Sequence, residues 1–293
     1  DIDVEKSTYQ VHNNTRFIYS EFGSSFNGEN IQKIKSLSLK SNIQNFDYNI
    51  LINNLMVKSV ELPDHVHSFI SLNNTIKESY SNKFLETLII SEDNRNYKTE
   101  DGVLFSKDGT ILYLYPNNKS DKDYKIPYGV KYLCDYAFYN CKNLKTIYFP
   151  DTVESLGEHL FEGCGNLKTV ELSSSINSIS NYMFKNCNCL THINIPNSVT
   201  SIGKQAFDFC KSLKSINFPV NLEVIGEKAF AGNSNIEKLV ISADIKSIGN
   251  MAFAGGKFDV EVSLNGSVVG SGSGSSKKRA EQDAARMALE HLQ

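Results

Sequence analysis

The sequence predicts a solenoid of stacked 23-residue coils, each a short β-strand followed by a short helical turn, with a β-β-α segment at the carboxyl end. The first observation behind this is a row of six phenylalanines, Phe138, Phe161, Phe184, Phe207, Phe230 and Phe253, spaced 23 residues apart without a slip. The second is that other positions keep step. Three residues after the aromatic come Cys141, Cys164, Cys187 and Cys210, and six after come Leu144, Leu167, Leu190, Leu213 and Ile236. The third is an alternation nine and eleven residues on: Ile147 and Phe149, Val170 and Leu172, Ile193 and Ile195, Ile216 and Phe218, Leu239 and Ile241. Apolar residues at alternate positions mark a strand, and a fixed period of 20 to 29 residues marks a repeat array whose units bury their apolar side only against neighbours.

Taken in chain order, residues 1–30 form an N-terminal segment or cap, and 31–100 hold irregular repeats. There Ile34, Leu37 and Leu39, then Val57, Val60, Leu62 and Pro63, fit the register loosely. Residues 101–129 form a repeat interrupted by a hairpin, because Lys107-Asp108-Gly109 is a turn between two alternating apolar runs. From 130 to 256 the coils are regular. Gly-x-x-Ala-Phe, as in Gly203 to Phe207 and Gly226 to Phe230, predicts the helical turn. Pro150, Pro196 and Pro219 close the strands, and Leu156, Ile179, Ile202, Ile225 and Ile248 precede the next turn.

The wording of these units, "SIGKQAFDFCKSLKSINFP" and "VIGEKAFAGNSNIEKLVIS", resembles the BspA-type subclass of leucine-rich repeats. So does "LETLIISEDNRNYKTEDGVLFSKDGTILYLYP", which in that family marks a hairpin-bearing repeat. The resemblance covers about residues 30–256. It implies a leucine-rich-repeat solenoid, and surface or secreted proteins of bacteria and parasitic protists implicated in adhesion.

The array is expected to stop near Gly256. Phe258, Val260, Val262 and Leu264 alternate, Asn265-Gly266 makes a turn, and Val268 and Val269 begin a return strand. Ser275 or Ser276 then caps a helix reaching Leu292. Through "FDVEVSLNG", "GSGSGSSKKRAE" and "AEQDAARMALEHL", residues 257–293 resemble the second half of a double-stranded-RNA-binding domain of the ribonuclease III type. That resemblance implies phosphate contacts from Ser276, Lys277 and Lys278 at a helix start, where free N–H groups favour anions. The first helix and first strand of such a domain are missing upstream, and the tail carries five basic residues (Lys257, Lys277, Lys278, Arg279, Arg286) against five acidic ones (Asp259, Glu261, Glu281, Asp283, Glu290). Three readings stand open: weak duplex binding, a fragment closing the solenoid, or a fusion junction.

Bulk properties narrow the function. The chain has 293 residues, 40% of them apolar, and a formal charge of -3, which gives no general attraction to nucleic acid or anionic membrane. No apolar run reaches the length of a spanning helix, so no membrane insertion is expected. The missing initial Met fits either a removed signal peptide or a boundary, leaving cell surface or cytoplasm open. Four of the six cysteines form one ladder. Coils about 4.8 Å apart place neighbouring Cys within disulfide reach, yet parallel side chains in a core favour small buried hydrophobes. Cys187-x-Cys189 lacks a second ligand pair, and His65-x-His67 beside Glu61 and Asp64 stands in a polar loop, so no metal or other cofactor is expected. Neither a nucleophile elbow nor a phosphate loop nor a zinc-protease helix is present, which predicts no enzyme.

Binding remains. Residues between the buried strand positions point outward and define a candidate protein-docking stripe: Thr146 and Tyr148, Thr169 and Glu171, His192 and Asn194, Ser215 and Asn217, Lys238 and Val240. A protein partner on this face is the leading expectation, with double-stranded RNA at the Lys277/Lys278 end as the alternative.

Overall fold

A computed structural model describes residues 2–3, 8–11, 36–39, 45–46, 58–66, 68–69, 84–236, 245–255, 258–264 and 267–274. They fall in two compact units, Asp1–Ser120 and Asp121–Gln293.

In the first unit the strands Thr8–Val11, Ser36–Leu39, Ser59–Leu62 and Thr87–Ile90 pair in parallel. Their registers place Thr8 against Ser36, Ser36 against Ser59, and Ser59 against Thr87. The inward members Val60, Leu62, Leu88 and Ile90 are buried. Buried Asn94 ties its coil to the previous one: its amide nitrogen donates to the carbonyls of Asp64 and Val66, both at 3.0 Å, while its oxygen accepts from Asn96 and Tyr97. The hairpin lies where the sequence puts it. Tyr97–Glu100, Val103–Ser106 and Ile111–Leu114 run antiparallel in turn. Asp108 organises the tight turn by accepting from the Ser106 hydroxyl at 2.6 Å and from both the amide and the hydroxyl of Thr110. These three donors hold its carboxyl down at about 2.

The second unit is a β-solenoid of parallel coils. One column of strands comprises Asp123–Lys125, Thr146–Tyr148 and Thr169–Glu171, then His192–Asn194 and Ser215–Asn217. A second column of two-residue strands includes Ser178–Ile179, Ser201–Ile202, Val224–Ile225 and Ser247–Ile248. Both keep the 23-residue offset, as in Thr146 against Thr169 and Ser201 against Val224. Between them the six phenylalanines form a stacked spine, with ring centroids 5.1 Å apart for Phe138–Phe161, 5.5 Å for Phe161–Phe184 and 5.1 Å for Phe207–Phe230. All six are buried, as are the Leu and Cys rows beside them.

The helical turn predicted at Gly-x-x-Ala-Phe is replaced by a chain of tight turns, and the described residues contain no α-helix. The reason is the destination of the N–H groups. Around Phe207, the amides of Gln205, Phe207 and Phe209 donate forward to the carbonyls of Glu227, Ala229 and Ala231 in the next coil. The intervening amides of Asp208 and Cys210 donate locally to Gln205 and Phe207. Alternate peptides therefore point opposite ways, which a helix forbids. This reversal needs left-handed backbone two residues before and two after each Phe, seen at Gln205 (φ 51°) and Phe209 (φ 56°). Asn140, Gly163, Asn186, Gly232 and Gly255 share the later position with Phe209, residue types that tolerate it best. Coils also approach closely where Gly226 lies over Gly203. A side-chain carbon on Gly226 would sit 2.6 Å from the Gly203 carbonyl carbon.

Candidate functional site

On the first strand column, buried Ile147, Val170, Ile193 and Ile216 alternate with outward residues, so each coil presents an outward row. Thr169, Glu171, His192, Asn194, Ser215 and Asn217 are exposed, whereas Thr146 and Tyr148 are half-buried. Parallel register joins the rows: Lys125, Tyr148 and Glu171 are partners, as are Asn194 and Asn217. Lys125 Nζ lies 5.6 Å from the Tyr148 ring centroid, holding a cation against the aromatic outward ring. The His192 ring nitrogen Nδ1 meets Thr191 Oγ1 at 3.1 Å. Eight of the predicted face residues thus lie on this strand column, six exposed and two half-buried. Lys238 and Val240 lie outside the described residues.

The turn side holds an arrangement that sequence reasoning missed. Tyr136, His159 and Tyr182, each two before a spine Phe, stack ring on ring, with centroids 4.5 and 4.3 Å apart at interplanar angles of 13° and 6°. His159 Nδ1 bonds the buried carboxylate of Glu162, which Lys185 Nζ also approaches at 3.5 Å. Lys185 Nζ sits 5.6 Å from the Tyr182 centroid as well. Burial, then the Glu162 charge, push the Tyr136 phenol well above its ordinary range. One coil beyond Lys185, buried Asp208 accepts from Gln205 Nε2 at 2.6 Å, and burial raises its carboxyl. The signal was present as a 23-residue row of Tyr, His and Tyr. Only the left-handed backbone at those positions shows that the rings must stack.

All six cysteines are free. The ladder is more than filler, because three of its four thiols donate to the carbonyl of a spine Phe one coil back, while Cys141 points to the carbonyl of Tyr139 at 4.0 Å. Cys164 reaches Phe138 at 3.0 Å, Cys187 reaches Phe161 at 3.2 Å and Cys210 reaches Phe184 at 3.0 Å. Asn233 takes the next place and donates to Phe207 at 2.7 Å. Burial pushes the thiols of Cys141, Cys187 and Cys210 far up. Burial, and then the charge of Asp135, push the Cys134 thiol up to about 12. Such thiols are poor nucleophiles and poor metal ligands. His65 is exposed, with Asp64 at 3.4 Å, and no group of three or more metal-ligating side chains occurs among the described residues.

At the carboxyl end, Phe258–Leu264 and Ser267–Gly274 form an antiparallel pair, with Phe258 opposite Gly274 and a bulge between Val262 and Ser263. This is the predicted strand pair. The predicted helix, with Ser276, Lys277 and Lys278, lies outside the described residues. Among the described residues no helix is long and apolar enough to cross a membrane.

Comparison with known proteins supports the repeat reading and leaves the tail reading without support. A search of the curated proteins finds no match. Among solved structures, a leucine-rich cell surface protein of Faecalibacterium prausnitzii is 26% identical over 74% of this chain and 54% of its own, with a TM-score of 0.61. The pneumococcal vaccine antigen PcpA is 26% identical over 78% of this chain and 51% of its own, with a TM-score of 0.57. The chain therefore spans about half the length of these two proteins. A leucine-rich-repeat protein of Eubacterium ventriosum, 20% identical over 87% of this chain and 84% of its own, shares the fold with a TM-score of 0.58. None of these findings supports a double-stranded-RNA-binding domain in residues 257–293. The BspA type leucine rich repeat region matches residues 113–198 and 178–275 in six copies, reaching past the predicted stop near Gly256. The chain belongs to the BspA-type leucine-rich-repeat family.

Proposed function

We propose that the chain is a non-enzymatic scaffold that docks a protein partner, in cell-surface adhesion, on the outward face of its first strand column. The observation that carries this is the display of exposed Thr169 and Glu171 in register with Thr146 and Tyr148, and of exposed His192 and Asn194 in register with Ser215 and Asn217, on strands whose alternate residues are locked in the core. Such a face is rigid before a partner arrives, so docking spends little on ordering it. Tyr148 is the anchor, since tyrosine is favoured at binding hot spots and its ring is already oriented by Lys125. The likeness to a cell surface protein and to a vaccine antigen favours an extracellular partner. The buried, hydrogen-bonded thiols leave the Cys row without a nucleophile, in keeping with a scaffold. No observation favours duplex RNA as a second reading.

The test is binding of the purified chain to a panel of extracellular-matrix and cell-surface proteins, beside a Tyr148→Ala/His192→Ala variant. Saturable binding to a panel member, weakened at least tenfold in the variant, is expected. Binding to none, or equal binding by both, would overturn the reading.

A further inference from the structure

The corner where each turn enters its strand carries a line of positive charge. Lys122, Lys145, Lys168 and Lys214 occupy one row, each immediately before the outward strand residues, with Thr191 filling the remaining place. Backbone bonds stack them in two runs: Lys145 N donates to Lys122 O at 2.6 Å and Lys168 N to Lys145 O at 2.8 Å, and in the next pair of coils Lys214 N donates to Thr191 O at 2.8 Å. Lys142 and Lys211 lie three residues earlier in the same coils, where their carbonyls accept from Asn166 and Asn235 of the following coils. All six lysines are exposed, and among the described residues none forms an ion pair. The adjoining strands offer two carboxylates, Asp123 and Glu171, in a chain whose formal charge is -3. Lysine is therefore concentrated along this corner of a chain that is acidic overall, with Asp121 and Asp123 flanking Lys122 at one end and Glu237 holding the next place of the row in the sequence.

Neighbouring lysines about 4.8 Å apart repel, since like charges on adjacent strands are unfavourable and lie well inside the roughly 8 Å screening length of physiological salt. A ligand bearing negative charge at similar intervals relieves that repulsion over the whole row, which runs about 19 Å from Lys122 to Lys214 at this pitch. We propose that this corner binds a linear sulfated polysaccharide laid along the coil axis.

The pitch and the side chains select that chemistry. An extended acidic peptide shows same-side carboxylates about 6.6 Å apart and falls out of step with the coils. Single-stranded nucleic acid draws much of its affinity from aromatic stacking, and the lysine row contains no ring. A sulfated glycan needs neither stacking nor strand pairing. It carries closely spaced anions on a backbone that turns at every glycosidic bond, and lysine, a compact mobile charge, suits such a ligand. The proposal does not rest on protein docking at Tyr148, because the lysines precede the strands and the two sites are removed by different variants.

The experiment measures heparin binding by the purified chain as a function of salt. The stripe variant is Lys145→Glu/Lys168→Glu, and the control is Lys131→Glu/Lys246→Glu, two exposed lysines of another row with the same change in charge. Salt-sensitive binding is expected, weakened at least tenfold in the stripe variant and no more than twofold in the control, with a shallower dependence on log salt in the stripe variant alone. Matched-charge polyglutamate and oligothymidylate should bind more weakly than heparin. No binding by the wild-type chain, or equal losses in both variants, overturns the site. Equal affinity for all three polymers overturns the assignment to a sulfated polysaccharide. If the stripe variant unfolds, Lys145→Gln/Lys168→Gln serves in its place, with the same outcomes deciding.

Discussion

The thiol of Cys210 donates to the carbonyl oxygen of Phe184 at 3.0 Å, tying one coil to the aromatic spine of the coil before it. The same bond recurs at Cys164 and Cys187, so these thiols are structural donors sealed from solvent. Alkylation of the native protein at pH 8, read by peptide mass spectrometry, should leave Cys141, Cys164, Cys187 and Cys210 unmodified. Half-exposed Cys189 should react first, and all six should react in denaturant.

Asn233 completes the Cys row but leaves its side-chain oxygen buried and without a partner among the described residues. An unmet buried acceptor costs free energy that a thiol would not incur. Asn233→Cys should therefore raise stability by about 1 kcal/mol in urea unfolding, whereas Asn233→Leu, which lacks the donor to Phe207, should lower it.

Phe207 lies between Phe184 and Phe230, 5.1 Å from each ring, and is fully buried. Truncation to Ala empties one place in a continuous stack and should cost roughly 3 to 5 kcal/mol. Denaturant midpoints equal to wild type would show that the spine is not the core.

Asp208 has its carboxyl raised, first by burial, against the opposing hydrogen bond from Gln205 and the charge of Lys185. A folded-state value above the unfolded one means that the folded protein takes up the proton first as pH falls. This group therefore disfavours folding at neutral pH, and the penalty fades as pH drops through the raised value to about 3.9. Asp208→Asn keeps an acceptor for Gln205 and loses the charge. Its melting temperature should exceed wild type at pH 7, with the difference shrinking toward pH 4.

The strand face and the Phe, Leu and Cys rows were legible because period and polarity alone decide what faces inward. Thr169 and Asn194 could be placed outward before any coordinates, since Val170 and Ile193 beside them had to be buried. The turn side was not legible in that way. Its conformation depends on alternate N–H groups reaching carbonyls 22 residues ahead, a long-range demand that Gly-x-x-Ala-Phe, with its local helical look, does not advertise. The stack of Tyr136, His159 and Tyr182 and the charges of Glu162, Lys185 and Asp208 beside it depend on that same backbone and were hidden with it. The hairpin at Asp108 was easier, because a Lys-Asp-Gly turn announces itself within three residues.

The forward-pointing amides at Gln205, Phe207 and Phe209 have a mechanical corollary. Bonds that run between coils lie along the line of pull when the array is drawn from its ends. They open coil by coil like a zipper, so they are not sheared together. Each coil freed releases about 75 Å of chain, the extended length of 23 residues less one coil spacing. Under tension, this segment would lengthen in equal steps, dissipating load while the coils not yet opened keep their fold.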